Sequence, residues 1–337
     1  MARVLLTLIR EFFNTFIHSS GDDPLLARAH ALLHPEPTES NDVTLCIPIV
    51  GGIILDVLIR YMIGQVVMSL LILETGGPQA RHWSETGGRT KTVSSRRLLH
   101  TLASLHHRGG IALLFNGFGT ACTYWAAHSS LTKLVSSLVL RPRFLRPLAY
   151  PVASILLAET HLAWTARTIL PRDQIHSVRS AHDRRRWASL ALPTFIHATA
   201  ETILSHLPAF VEDLIGAPHE SMQGTIKSTV IMSEVIVCGV MLAFHLLLLL
   251  PSQIALLSVE ASLLPPTCET LVFSSARQRG TRVREIFPTV DLPLRTRQAW
   301  QRISMGRLLW CLELHGMMCL WLLGVRAMVH SAICWLR

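Results

Sequence analysis

Charge is what this chain has least of. Only 16% of its 337 residues are Asp, Glu, Lys or Arg, and half are hydrophobic. A soluble domain carries roughly 25% charged residues, so the deficit excludes an ordinary water-soluble fold and fits a polytopic membrane protein. Acidic residues are scarcer than basic ones, 22 against 31, which leaves a net charge of +9. No RNP, zinc-finger or basic-zipper pattern accompanies that charge, and the basic residues sit in loops beside apolar runs. They therefore read as topological, with no nucleic acid implied. The seven cysteines include no CxxC and lie mostly in apolar runs, so neither a disulfide framework nor a zinc site is indicated. They read as small packing residues. Gly-x-Ser-x-Gly, P-loop and Rossmann fingerprints are also missing, and no cofactor is implied.

What is present is a repeated pattern. Apolar stretches near Leu45–Leu73, Leu148–Leu170 and Val230–Leu264 are each followed by a basic stretch, Arg81–Arg108, Arg172–Arg186 and Arg277–Arg302. A second apolar stretch follows each, near Ile111–Ala127, Leu190–Val211 and Leu308–Trp335. The expectation is an all-α membrane protein of six transmembrane helices, built as three two-helix repeats around a central cavity with short amphipathic surface helices. The boundaries read as an N-terminal amphipathic helix (Met1–His18) and polar loop over 1–43, then repeats over 44–145, 146–225 and 226–337. Residues 96–108, with Leu98, Leu102 and Leu105 at helical spacing, predict a surface helix. Gly51, Gly52 and Gly64 in the first span predict close helix approach. Loop charge puts both termini on one face and the three basic loops on the other; Lys133, Arg141, Arg143 and Arg146 run against that assignment.

A charge at the bilayer centre costs about 2.5–3.5 kcal/mol on insertion scales. Intramembrane polar residues must therefore pair or line a wet cavity. Asp56 and Arg60 are i,i+4 and can pair on one face, either as a self-neutralising structural pair or as part of a gate. His197 and Glu201 are also i,i+4. Glu313 and His315 are two apart and point to different sides. Membrane di-iron enzymes cluster histidines; His100, His106 and His107, then His176 and His182, form loose groups here without the repeated doublets that such a site needs, and His82 is isolated.

Some of these residues resemble the mitochondrial carrier family. Pro171-Arg172-Asp173-Gln174-Ile175-His176 is similar to its Pro-x-Asp-x-x-Lys signature at the end of an odd helix, with His176 in the lysine position. Gly110-Ile111-Ala112-Leu113-Leu114-Phe115-Asn116-Gly117 resembles the Gly-x-x-x-Leu-Tyr-x-Gly start of an even helix, and Gly306-Arg307-Leu308-Leu309-Trp310 is a looser echo. Span 5 has Gln253 at the acidic position, and span 1 has no matching proline. The resemblance implies a mitochondrial membrane and alternating-access transport of a small metabolite, with no enzymatic activity; six spans with basic loops also fit the endoplasmic reticulum or another internal membrane. Cavity-facing even helices would make Asn116, His197, Glu201, Glu313 and His315 the substrate contacts. Asp56, Arg60, Asp173 and His176 would be gate or ion-pair residues. Membrane lipid and a small-molecule substrate are the expected partners. Excess positive charge favours an anion. Because the gate signature is incomplete, a non-transporting scaffold with a protein-docking segment at 265–302 is the alternative, and a histidine-dependent membrane enzyme a third reading.

Overall fold

The computed structural model of the chain describes residues 43–76, 98–139, 143–178, 184–215, 236–237, 239–273, 280–287 and 293–336. The expected N-terminal helix and loop, the basic stretch around His82, His182, Glu220, and the start of span 5 near Thr229 and Glu234 lie outside these residues. The chain is predominantly helical. Three helical stretches are long and apolar enough to cross a membrane: Val50–Glu74, Gly239–Ser262 and Met305–Ala332. These match expected spans 1, 5 and 6.

The first comprises α1 (Val43–Ile59), a π-helical stretch Arg60–Val67 and α2 (Met68–Glu74). Its small residues do what such residues do between membrane helices. A Cβ on Gly52 would stand 2.5 Å from Val329, and one on Gly64 would stand 3.1 Å from the Met318 sulfur, whereas Gly51 faces open space. α3 (Leu98–Leu114) buries Leu98, Thr101 and Leu105 along one face and exposes Leu99, His106 and His107. This is the amphipathic helix expected from the spacing, but its inner face packs on the π-helical stretch of span 1.

Expected span 2 starts later than the apolar run suggests. Gly110 has φ +66°, which kinks α3, and the turn at 115–117 ends with Gly117 at φ +90°. A left-handed φ favours glycine. The helix proper is α4 (Phe118–Leu134), prolonged by a π turn Val135–Val139. Expected span 3 is two helices, α5 (Ala149–Leu156) and α6 (Ala158–Ile169), broken at Leu157. α6 stops where its proline dictates. Leu170 precedes Pro171 and adopts φ −104°, ψ 147°, the extended geometry that a following proline imposes. Expected span 4 is α7 (Arg184–Ile215), which begins with three arginines and runs through Pro193 and Pro208. By length and composition none of α4, α5–α6 and α7 reaches the apolarity of the other three. Each nevertheless turns large apolar side chains outward, among them Leu138, Leu156, Phe195 and Ile203.

Span 5 continues through Pro251, as expected. Proline removes one N–H donor and crowds the preceding turn; that turn, His245–Leu249, is a π helix, and α8 (Leu250–Ser262) follows directly. α8 is the central helix. All its residues except Gln253 are buried, and it packs against α2, α6, α7 and the last helix. Its three serines donate to carbonyls of the same helical stretch, Ser252 to Leu249 at 2.7 Å, Ser258 to Ile254 at 2.6 Å and Ser262 to Val259 at 2.7 Å, so they enter an apolar core already satisfied.

Residues 265–302, expected to be a polar docking segment, are folded onto the bundle where they are described. β1 (Glu269–Phe273) and β2 (Gly280–Arg282) form an antiparallel hairpin, a departure from all-α structure. The short helices α9 (Val283–Ile286) and α10 (Thr296–Gln301) follow. Leu271, Val272, Val283, Ile286, Phe287, Leu294 and Ala299 are buried in the main core. β1 packs on α2 and α6, and α10 on α8, so this segment covers the end where those three helices meet. α11 (Met305–Leu336) completes the fold against α1.

Candidate functional site

Glu260 is the one charged residue between His245 and Glu269, and it is fully buried near the C-terminal end of α8. A carboxylate there opposes the helix dipole, so its stabilisation must come from tertiary partners. α6 supplies them. His161 Nδ1 lies 2.5 Å from Glu260 Oε1, and the Thr165 hydroxyl donates to Oε2 at 2.8 Å. His161 and Thr165 are i,i+4 on α6 and meet the two carboxylate oxygens together.

A second acid–imidazole pair sits on α7. Glu201 accepts from the Tyr150 hydroxyl of α5 at 2.7 Å and stands 3.7 Å from His197 Nε2. His197 Nδ1 is 3.1 Å from the Ser252 hydroxyl of α8. Between the two pairs, His128 of α4 meets Ser154 Oγ at 2.8 Å, and its ring meets that of Tyr150 edge-on at 4.4 Å. Tyr124, one turn earlier, touches both the His128 ring at 5.5 Å and the His161 ring at 5.2 Å. The polar side chains thus form a loop through five helices. It leaves α8 at Ser252, passes through α7, α5, α4 and α6, and returns to α8 at Glu260.

The expected site residues divide accordingly. His197 and Glu201 lie on one face, both buried, inside this loop. Asn116 is buried in the turn before α4 and bonds backbone: its amide donates to the Arg167 carbonyl at 2.7 Å and the Leu170 carbonyl at 3.1 Å, while its own main-chain carbonyl accepts from Tyr61 at 2.5 Å. It ties span 1 and the start of α4 to carbonyls at the end of α6 that the helix leaves open. Glu313 is exposed and His315 buried, as their spacing requires. The His315 ring meets that of His245 of the π turn at 4.6 Å, tilted by 43°. Asp56 and Arg60 form the expected pair, Nε to Oδ2 at 2.9 Å, both buried, at the point where α1 passes into its π-helical stretch. Asp173 is exposed on the 3-10 turn Arg172–Val178, which also contains His176. In that turn Gln174 is the residue that reaches back, accepting from the Glu269 N–H of β1 at 2.7 Å.

Glu260, Tyr150, His128 and Thr165 are not among the residues that spacing and motif single out. Glu260 does carry a legible signal, a single charge in a long apolar run. The others carry none, because what distinguishes them is tertiary. Among the described residues no group of three histidine, cysteine or acidic side chains could hold a metal ion; His106 and His107 are exposed on α3. Comparison with known protein families, curated protein sequences and solved structures finds no match to this chain.

Proposed function

We propose that the protein is an integral membrane carrier for a small solute, acting by alternating access, with Glu201 and His197 contacting the solute and the Glu260–His161–Thr165 contact closing one end of the path. The observation that carries this reading is the burial of two acid–imidazole contacts in an otherwise apolar bundle, Glu260–His161 between α8 and α6, and Glu201–His197 on α7 with hydrogen bonds to Tyr150 of α5 and Ser252 of α8. One ionised side chain in such a place costs about 2.5–3.5 kcal/mol on insertion scales, and an interhelical hydrogen bond returns only about 0.6 kcal/mol. Packing alone would be better served by leucine, so selection for something other than stability is the economical explanation. Intramembrane acid and histidine groups commonly mark solute or ion routes.

The carrier-like layout is supported by the convergence of α2, α6 and α8, the ends of expected spans 1, 3 and 5, beneath a folded cap. In that layout an interhelical charge contact among odd helices belongs at this junction. Glu260 and His161 fill the role expected for Asp173 and His176. Three two-helix repeats, six spans and a mitochondrial membrane are part of the same proposal. The excess of basic residues makes a small anion the first solute class to try.

The test is uptake by purified protein in liposomes, using a panel of labelled small carboxylates and inorganic anions. Uptake above that of empty liposomes, lost in Glu201→Gln, supports the reading. Equal uptake by both liposome sets across the panel refutes it. A second reading, a non-transporting scaffold, is favoured by the near-complete burial of α8 and by the commitment of Asn116 to backbone carbonyls. It predicts no uptake together with a stable protein partner.

A further inference from the structure

We propose that the two acid–imidazole pairs, Glu260–His161 and Glu201–His197, form a proton-binding site inside the bundle, and that the proton bound at Glu260–His161 is the ligand that holds α6 onto α8. In each pair an imidazole nitrogen faces a carboxylate oxygen, at 2.5 Å and 3.7 Å. Each pair therefore has two states that differ by one proton. With the proton, imidazolium and carboxylate neutralise each other, and at the 2.5 Å Glu260–His161 contact they make a charge-assisted hydrogen bond between α8 and α6. Without it, a net negative charge is left among Leu, Ala and Trp side chains, where burial disfavours it. Proton loss at Glu260–His161 accordingly weakens the attachment of α6 to α8, and proton binding restores it. Histidine is the side chain whose ordinary charge change falls in the neutral range.

The surroundings suit a proton rather than a bulkier cation. From the elements packed on α8, the ionisable groups turned inward are His161 of α6 with one buried oxygen of the half-buried Glu159, His197 and Glu201 of α7, His245 of the π turn, and His315, Cys311 and Cys319 of α11. Glu74 at the end of α2 is half-buried, while Arg297 of α10 and Glu313 of α11 are exposed. Among the described residues of these elements no buried lysine or arginine neutralises Glu260 permanently; Arg60, the buried arginine of span 1, is bonded to Asp56. Tyr124, His128 and Tyr150 lie between the two pairs: Tyr150 bonds Glu201, His128 bonds Ser154, and Tyr124 meets the rings of His128 and His161. As a coupling ion the proton rests on the carrier reading; as a ligand of this site it does not.

The experiment is infrared difference spectroscopy on the full chain in phosphatidylcholine vesicles, stepping pH across the neutral range, with and without heavy-isotope-labelled glutamate. The expected result is an imidazole band and a label-sensitive carboxylate band that change together and reversibly. Glu260→Gln removes one carboxylate contribution, and His161→Gln shifts it. A wild-type spectrum with no label-sensitive change overturns the proposal without recourse to any variant. So does a change that persists unaltered in folded Glu260→Gln and Glu201→Gln proteins. The measurement needs no solute, so a failed uptake assay beside a positive spectrum rejects the carrier reading and leaves the proton site standing.

Discussion

Asp56 and Glu201 are both buried acids, yet substitution is expected to affect them differently because their partners differ. Asp56 bonds an arginine on its own helix at 2.9 Å. Asp56→Ala leaves the Arg60 guanidinium in the core without its counter-charge. Breaking a buried pair on one side destabilises by about 3–5 kcal/mol, so the midpoint of unfolding in detergent is expected to drop sharply. An unchanged midpoint would show that the pair contributes nothing to the fold. Glu201 is held by Tyr150 and His197, neither of them permanently charged. Glu201→Gln keeps the Tyr150 hydrogen bond and the shape, so folding is expected to survive while solute uptake is lost. Uptake equal to wild type by the folded variant would remove Glu201 from the site. Both residues are legible in the sequence, because i,i+4 spacing places two side chains side by side on any α-helix. Glu260 and His161 are 99 positions apart, and only the fold brings them together.

Among the secondary-structure elements, the parts readable from sequence are those fixed by a single residue's backbone. The end of α6 follows from Pro171, and the continuation of span 5 through Pro251 follows from a π turn that relieves the crowding. The parts not readable depend on neighbours. The apolar run Ile111–Ala127 contains no proline or charge, and only the left-handed glycines at 110 and 117 divide it. Gly117 is forced as much by space as by φ: an added Cβ would lie 3.1 Å from Arg167 and 3.3 Å from the Tyr61 hydroxyl. Asn116 beside it makes a prediction at this scale. Asn116→Ala deprives the Arg167 and Leu170 carbonyls of their donor, and an orphaned buried polar group costs about 1–3 kcal/mol. The variant is expected to unfold at lower temperature but to keep its uptake rate below the transition; selective loss of uptake with normal stability would instead make Asn116 a solute contact. Gly52→Val tests helix approach in the same way. The new side chain meets Val329 across the α1–α11 contact, and overpacking of this kind costs about 1–3 kcal/mol. A thermal midpoint equal to wild type would mean the two helices can part freely.

For the whole molecule, composition points to a class and leaves the arrangement open. Scarce charge and mean hydropathy of +0.39 point to a membrane, and three helical stretches have the length to cross one. Alkaline carbonate extraction is therefore expected to leave the protein in the membrane pellet; release into the supernatant would reduce the helices to a buried core. The count of six spans expected from apolar runs is not matched by α4, α5–α6 and α7, whose interior faces carry the histidines, tyrosines and acids of the polar loop. The residues that lower their apolarity are the ones that form the polar loop. The hairpin in 265–302 is invisible to charge patterning, since its buried stretch, Thr270, Leu271 and Val272, is short and lies in a segment rich in arginine.

The polar loop begins and ends on the same helix, and this has a mechanical consequence. Ser252 and Glu260 are eight residues apart, about 12 Å along α8 and about 80° around it. α8 is thereby gripped at two heights and from two directions, like a shaft held by two keys cut at an angle. Any twist of that shaft large enough to free one key drags the other out of its slot, so the two contacts open and close as a single event.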